Sequence, residues 1–360
     1  MQNLKSVQAL RGIAALLVFM GHLIAIEKIH AGRAEPLTEF WAAGIFGVDL
    51  FFVISGFVIV WVGAELPQTW RAACAFSLAR FVRIYPVWWL FAATAAIAYW
   101  LTNGAPWNVE RINDLGWEHL LHSFLLWPQP TPPVLSVGWT LSHEMYFYIG
   151  FAVLVFAVPV RHRFKAFLAW SGAVLIGAAF GLSSGFAGNL IELAFYPMTL
   201  EFTAGGCVAF AIKLGIRRAA WLSFTLGSSG YLVGFLSADA LTIGVPNLAL
   251  EWQRTLVFGA SSALIVYGAV ALELQDRLPR LLVPSTLIAI GNWSYALYLC
   301  HVLTISLSGR LVYSWLDPAR SVSVGMFSLT AIALSLGVAA ATYHAFERPL
   351  ITEFKRRRAS

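Results

Sequence analysis

The residues best suited to chemistry in this sequence are ionisable side chains that lie inside long apolar stretches. Arg11 and His22 are eleven residues apart, so on a helix they share one face, about 16 Å apart along the axis. Glu144 lies in an aromatic run, where a carboxylate suits proton transfer. An ionisable group in a spanning helix costs roughly 2.5–3.5 kcal/mol, which makes each one a functional candidate. The alternatives are a membrane-face anchor for Arg11 and helix-to-helix hydrogen bonds for His22 and Glu144.

Two further segments carry polar residues on otherwise apolar helix faces. Asp49 and Gly56 share a face in the second apolar block. A buried carboxylate there requires a proton or a partner, and the glycine lets a helix backbone or a slender ligand approach. Ser294, Tyr298 and His301 align at i, i+4 and i+7. This polar stripe could contact either a substrate or a neighbouring helix.

A pair of arginines precedes the third apolar block. Arg80 and Arg83 are three residues apart, so their guanidinium groups are neighbours on a helical turn and together could hold a phosphate. The surrounding segment 71–86 also has the pattern of an amphipathic helix lying on the cytoplasmic membrane face. Both interpretations predict that the membrane span itself begins near Pro86.

Composition excludes a soluble fold. The 360 residues are 59% hydrophobic and 12% charged, against about 25% charged in soluble domains, and the apolar blocks are long enough to cross a bilayer. We predict an all-α, polytopic integral membrane protein that forms one domain over residues 1–360. Its ten spans are predicted near 8–26, 41–62, 86–101, 139–160, 166–182, 194–213, 219–237, 253–272, 286–308 and 321–345. Pro349 is expected to end the last helix, with Glu347 and Arg348 as a local ion pair.

The basic residues concentrate on alternate loops. One set of loops holds 18 of the 24 Lys and Arg residues, and the positive-inside rule places that set and both termini in the cytoplasm. The net charge of +6 therefore reflects topology and does not indicate nucleic acid. Cys74, Cys207 and Cys300 occur singly, so neither a disulfide framework nor a metal site is predicted.

Taken in order, these segments resemble the bacterial membrane acyltransferase-3 family. The matching segments run from residue 11 to residue 349 and comprise Arg11 to His22 (R-x10-H), FFVISGF at 51–57, RFVRIYP at 80–86, WTLSHE at 139–144, SYALYLCH at 294–301 and FERP at 346–349. The resemblance implies a multi-pass protein of the bacterial inner membrane. It also implies O-acylation of a carbohydrate with cytosolic acetyl-CoA, or another acyl-CoA, as co-substrate. Some family members carry an extracytoplasmic hydrolase-like domain, and this chain is expected to act without one.

Together, the resemblance and the polar residues predict a site. His22 is expected to act as general base toward a sugar hydroxyl that attacks the thioester, with Glu144 orienting the imidazole. The predicted acyl-CoA-binding residues are Arg11, Ser55, Gly56, Arg80, Arg83 and Tyr85. The predicted acceptor-binding residues are Asp49, Trp139, Ser294, Tyr298 and His301. The acceptor is expected from the periplasmic side, as a surface polysaccharide or its lipid-linked precursor.

Two other functions fit the sequence. The acceptor could be a lipid or a secreted metabolite, or the protein could be a secondary transporter, a class that also places carboxylates and histidines inside helices. Transport is disfavoured because His22, Asp49 and Glu144 all lie in the first half of the chain and no inverted repeat relates the two halves. The sequence does not decide which acyl group is transferred, whether a covalent acyl intermediate forms, or whether the protein is a monomer or a homo-oligomer.

Overall fold

A computed structural model describes residues 4–31, 40–102, 116–183, 188–237, 248–318 and 320–359. Every regular element in these residues is helical, as predicted. The α-helices are α1 (Lys5–Ala31), α2 (Gly47–Gly63), α3 (Trp70–Leu101), α4 (Trp117–Leu125), α5 (Trp139–Ala157), α6 (Arg163–Ala179), α7 (Leu190–Ala194), α8 (Thr199–Lys213), α9 (Ala220–Ser237), α10 (Leu248–Arg254), α11 (Ala260–Glu273), α12 (Ser285–Tyr313), α13 (Ser321–Thr342) and α14 (Arg348–Ala359). A π-helical turn joins α10 to α11 at Thr255–Gly259, and another joins α13 to α14 at Tyr343–Glu347.

Membrane-spanning helices form most of the described chain. Eight helical segments of the described residues are long and apolar enough to cross a bilayer, and each overlaps a predicted span. The other two predicted spans, near 166–182 and 219–237, fall on α6 and α9, which have 17 and 18 residues. Large apolar side chains such as Ile97, Ile149 and Leu329 are exposed on the outside of the bundle, as expected for surfaces that face lipid. The protein is therefore a polytopic helical membrane protein, whereas ten spans and cytoplasmic termini stay predictions.

Two predicted helix boundaries are wrong. Residues 71–86 do not form a separate interfacial segment, because α3 continues from Trp70 to Leu101 with Pro86 inside it. Membrane helices tolerate such a proline because neighbouring groups satisfy the freed carbonyl. Pro349 does not end the last helix either, since α14 follows the π turn directly and contains it. The first correction matters for the site, because it places Arg80 and Arg83 within a spanning helix.

Glycines allow α1 and α12 to pack with their backbones in close approach. A Cβ on Gly12 would meet the carbonyl oxygen of Leu287, and one on Gly291 would meet the carbonyl oxygen of Gln8. Small residues at such positions allow membrane helices to pack tightly. This contact fixes the register of the two helices and brings their histidines, His22 and His301, together.

The same packing relates α2 to α8, and it explains Gly56. A Cβ on Gly56 would meet the carbonyl oxygen of Phe202, and one on Gly205 would meet that of Val53. Gly56 therefore faces α8 and packs against its backbone. The prediction that Gly56 binds acyl-CoA is not supported by this position, and helix packing is the role that the structure shows.

A buried arginine at the start of α6 holds the ends of α2 and α5. Arg163, at the start of α6, has no exposed surface. Its guanidinium group donates hydrogen bonds to the carbonyl oxygens of Ala64 (2.9 Å), Leu66 (2.5 Å), Val155 (2.8 Å) and Val158 (3.2 Å). These carbonyls lie at the ends of α2 and α5, where the helices have no backbone donors of their own. Arg163 thus closes both helix ends with one side chain.

We expect Arg163→Met to lower the stability of the purified protein by several kcal/mol, because two buried and two partly buried carbonyls would lose their donor, at about 1–3 kcal/mol for each group left buried and unsatisfied. Thermal unfolding in detergent measures this effect. The matched control is Arg161→Met, whose side chain is exposed, and it should unfold at the wild-type temperature. Equal unfolding temperatures for both variants would show that Arg163 does not hold these helix ends.

Candidate active site

A cavity lies between α1, α2, α3, α5 and α12. The empty space between its walls is about 740 Å³, counting the open space at its mouth. Its walls are mostly apolar, and a small number of polar groups converge on it. The lining residues are Arg11, Val48, Phe51, Phe52, Ile54, Ser55, Val58, Arg83, Ile84, Thr140, Leu141, Glu144, Tyr148, Ser294, Tyr295 and Tyr298. Six of these are among the predicted site residues: Arg11, Ser55, Arg83, Glu144, Ser294 and Tyr298.

Arginines gather at one end of this cavity. Arg11 of α1 and Arg83 of α3 line it and lie within electrostatic reach of each other. Arg80 lies behind Tyr148, with its guanidinium carbon 5.9 Å from the centre of that ring. Like charges this close repel unless anions lie between them. The three side chains therefore form a site that favours an anionic group.

Two carboxylates accompany the arginines. Glu144 accepts hydrogen bonds at Oε1 from the hydroxyl of Ser55, at 2.6 Å, and from the hydroxyl of Tyr148. Glu347, which is 4% exposed, lies within electrostatic reach of Arg83 and Arg11. The expected ion pair of Glu347 with Arg348 is wrong. The π turn at Tyr343–Glu347 directs the carboxylate inward to the arginines instead.

His22 lies beside a second histidine. The ring centres of His22 and His301 are 4.8 Å apart, and the rings meet edge to face. Nδ1 of His22 lies 3.0 Å from the carbonyl oxygen of Val18, and Nδ1 of His301 lies 3.2 Å from that of Leu297. A carbonyl oxygen can only accept, so both Nδ1 atoms carry hydrogen. In the neutral rings both Nε2 atoms then hold a free lone pair, which is the form required of a general base.

Glu144 does not orient His22. The hydrogen bonds of Glu144 go to Ser55 and Tyr148, and the ring of His22 contacts His301. The predicted contact between the carboxylate and the imidazole is therefore corrected. The backbone carbonyl of Val18 fixes the tautomer of His22, and Glu144 belongs to the arginine end of the cavity.

Tyr298 connects the cavity to the histidine pair. It lines the cavity, and its ring centre is 5.7 Å from that of His301. Its hydroxyl lies 2.8 Å from Oγ1 of Thr140 and 3.1 Å from the carbonyl oxygen of Val137. Ser294 lines the cavity one turn earlier on α12, and its buried hydroxyl has no hydrogen-bond partner in the described part of the chain. The predicted polar stripe of α12 thus faces the cavity and the imidazoles.

Three other predicted residues lie outside the cavity lining. Tyr85 donates from its hydroxyl to the carbonyl oxygen of Leu125, at 2.8 Å, so it faces α4 and not the cavity. Trp139 packs edge-on against Phe52, with their ring centres 6.2 Å apart. Asp49 pairs with Arg254. A direct role in binding donor or acceptor is therefore not supported for Tyr85, and Trp139 packs against a residue that lines the cavity, Phe52.

The sequence interpretation missed Tyr148, Thr140 and Glu347. Tyr148 could have been found, because it lies four residues after Glu144 and therefore on the same helix face. Thr140 could not, because its role depends on Tyr298, 158 residues away. In the described part of the chain, no three His, Cys, Asp or Glu side chains come together in a metal-ligating arrangement.

The described residues thus form a helical membrane bundle with an arginine-lined cavity and an imidazole pair beside it, groups suited to binding an anion and to proton transfer. The chain belongs to the acyltransferase-3 family, since the profile of the acyltransferase domain Acyl_transf_3 matches residues 4–344.

Two relatives align with nearly the whole chain. The exopolysaccharide production protein ExoZ of Rhizobium meliloti is 31% identical, covering 91% of this chain and 96% of its own. The acyltransferase MdmB of Streptomyces mycarofaciens is 28% identical, covering 99% of this chain and 94% of its own. No solved structure matches the chain. The protein is therefore a membrane acyltransferase.

Proposed function

We propose that this protein is an O-acyltransferase of the bacterial inner membrane, which transfers an acyl group, most simply acetyl, from cytosolic acyl-CoA to a hydroxyl of an exopolysaccharide or its lipid-linked precursor. Family membership supports acyl transfer. The relative ExoZ, whose name refers to exopolysaccharide production, supports the class of acceptor. The relative MdmB carries only the name acyltransferase, so acceptors other than polysaccharide are tested alongside.

The shape and charge of the cavity support acyl-CoA as the donor. Coenzyme A combines phosphate groups with a long, thin arm that ends in sulfur. The cavity has arginines at one end and Tyr298, beside the imidazole pair, at the other. The rise from Arg11 to His22 along α1 is about 16 Å, comparable to the reach of that arm. Phosphates held by Arg11, Arg80 and Arg83 would place the thioester near His22.

His22 is taken as the general base and not His301, because residue His22 keeps some exposed surface whereas His301 is 1% exposed. Nε2 of His22 takes the proton of the acceptor hydroxyl as its oxygen bonds to the thioester carbonyl carbon. The tetrahedral intermediate then expels the CoA thiolate, and the imidazolium returns the proton to that sulfur. An ester and free CoA form, with no net change in protons. The apolar walls keep water away from the thioester and so limit hydrolysis.

Acetyl-labelled acetyl-CoA added to membranes that contain the protein tests the proposal. Label in polysaccharide or in lipid-linked oligosaccharide is the expected result, and membranes carrying His22→Gln supply the background. Label in an organic-soluble metabolite would show that the acceptor is a lipid or a secreted metabolite and not a polysaccharide. Absence of any transfer, together with proton-coupled flux of a solute, would overturn the proposal in favour of transport.

A further inference from the structure

A second group of charged side chains lies outside the cavity lining, between α2, α8 and the α10–α11 junction. It consists of Asp49, Glu201, Glu251 and Arg254, called here the acidic cluster. Nε of Arg254 lies 2.9 and 3.0 Å from the two carboxylate oxygens of Asp49. Asp49 is completely buried, and Arg254 is 9% exposed. Glu201 and Glu251 lie within electrostatic reach of this pair.

Several polar atoms of the acidic cluster have no hydrogen-bond partner among the residues that the structure describes. Glu201 is completely buried, yet no fixed donor of the described residues reaches either of its carboxyl oxygens. Its carboxyl group faces that of Asp49, and two carboxyl groups can hydrogen-bond only if one carries a proton. Nη2 of Arg254 and Oε2 of Glu251 are buried and unpartnered as well. Native proteins leave few such atoms, because each loses its hydration without compensation.

The unpartnered atoms define the chemistry of a ligand. They include carboxyl oxygens, which accept hydrogen bonds, and a guanidinium nitrogen, which donates one. Sugar hydroxyl groups both donate and accept, so a sugar can satisfy all of them at once. Three carboxyl groups against one arginine disfavour an anionic ligand. Tyr196, which lies beside Glu251, adds an aromatic face, and a ring next to polar groups suits a sugar.

The acidic cluster adjoins the cavity through one layer of aromatic side chains. Phe52 lines the cavity and stacks on Phe202, the residue after Glu201, with their ring centres 4.4 Å apart. Val48 also lines the cavity and is next to Asp49 in the chain. On the other side of the cluster, Glu251 is only half-buried. The predicted orientation places the start of α2 and α10 toward the periplasm.

We infer that the acidic cluster binds the carbohydrate acceptor, and that the sugar it accepts is uncharged. This inference rests on the proposed function, because it presupposes a sugar that receives an acyl group. The buried ion pair of Asp49 and Arg254 sets the framework of the site. Glu201 and Glu251 hold the hydroxyl groups of the sugar. Groups that sacrifice stability when buried without partners are expected at functional sites.

Glu201→Met tests the inference, because methionine fills the same space without polar atoms. The acceptor probe is the lipid-linked oligosaccharide fraction extracted from the source bacterium, added at varied concentrations with acetyl-CoA to the purified full-length protein. We expect the KM for this fraction to rise about 10- to 100-fold, with the Kd for acetyl-CoA unchanged. Because no fixed donor of the described residues serves the carboxyl group of Glu201, the substitution leaves no donor unpaired, and the unfolding temperature should stay close to that of the wild type.

Glu251→Met, nearer the surface, gives the same test if Glu201→Met does not fold. The matched control is Glu65→Met, two residues after the end of α2, whose carboxylate is 74% exposed and pairs with Lys213, and it should leave the acceptor KM unchanged. If both cluster variants fold and keep the wild-type acceptor KM, or lose only kcat or donor binding, the inference is overturned while the proposed function stands. If the wild-type protein transfers no acetyl group to the fraction, the proposed function fails, and the inference fails with it.

Discussion

Replacing His22 by glutamine should lower acyl transfer about 100-fold or more while acetyl-CoA still binds. General bases contribute roughly 10²- to 10⁴-fold to enzymatic rates. Glutamine keeps the size and polarity of the side chain but cannot accept the proton of the acceptor hydroxyl. Tight packing of α1 against α12 at Gly12 and Gly291 should preserve the fold. Donor Kd and transfer rate, measured on the same purified sample, separate the loss of the base from the loss of the donor site.

His30→Gln is the matched control for this result. It makes the same substitution two turns further along α1, where the ring packs near Tyr313 with the ring centres 5.4 Å apart. This variant should transfer at the wild-type rate. If His22→Gln remains active and His301→Gln is inactive, the base would be the buried member of the pair. Full activity of both His22→Gln and His301→Gln would show that neither imidazole acts in the mechanism.

The sequence predicts those parts of the site that depend on a single helix. Helical geometry relates Arg11 to His22 and aligns Ser294, Tyr298 and His301 without reference to the rest of the chain. The structure confirms the helical membrane fold on which these relations depend. It also places Arg11, Ser294 and Tyr298 on one cavity. Apolar blocks of membrane length are strong signals, because the bilayer admits few other structures.

Partners distant in sequence are the parts that could not be predicted. Asp49 requires a partner, but the residue that supplies it, Arg254, is 205 positions away and lies at the predicted edge of a span. His22 likewise contacts His301 through a helix pairing that a single sequence does not reveal. Gly56 shows the same limit: the motif is visible, but only the packing of α2 on α8 shows that it faces a backbone.

The two π turns are a further feature that the sequence pattern does not predict. One, at Thr255–Gly259, follows Arg254 directly and brings Gly259 against the side chain of Glu201. The other contains Glu347 and directs it to the arginine end of the cavity. Each turn rotates the following helix relative to an uninterrupted α-helix, and such turns often occur at functional sites. A sequence pattern with a period of 3.6 residues therefore assigns the residues beyond each turn to the wrong face.

Replacing Arg83 by alanine should raise the KM for acetyl-CoA about 10- to 100-fold, because a hydrogen bond to a charged group contributes roughly 1.5–3 kcal/mol. Arg83→Lys should fall between wild type and Arg83→Ala, since lysine keeps the charge but loses the planar pair of donors. The rate at saturating donor should change little, because Arg83 belongs to the arginine end of the cavity and not to the imidazole pair. Steady-state kinetics at varied acetyl-CoA give both values.

A shortened donor makes this prediction specific to the phosphate groups. Acetyl-pantetheine carries the same thioester on the same arm but lacks the nucleotide and its phosphates. If Arg83 binds those phosphates, wild type and Arg83→Ala should use acetyl-pantetheine equally well, because the group that Arg83 recognises is gone. Arg71→Ala, an exposed residue near the start of the same helix, is the control and should match wild type with both donors. An equal loss with both donors in Arg83→Ala would mean that Arg83 supports the cavity wall, for example through Glu347, and the arm of coenzyme A would then need another anchor.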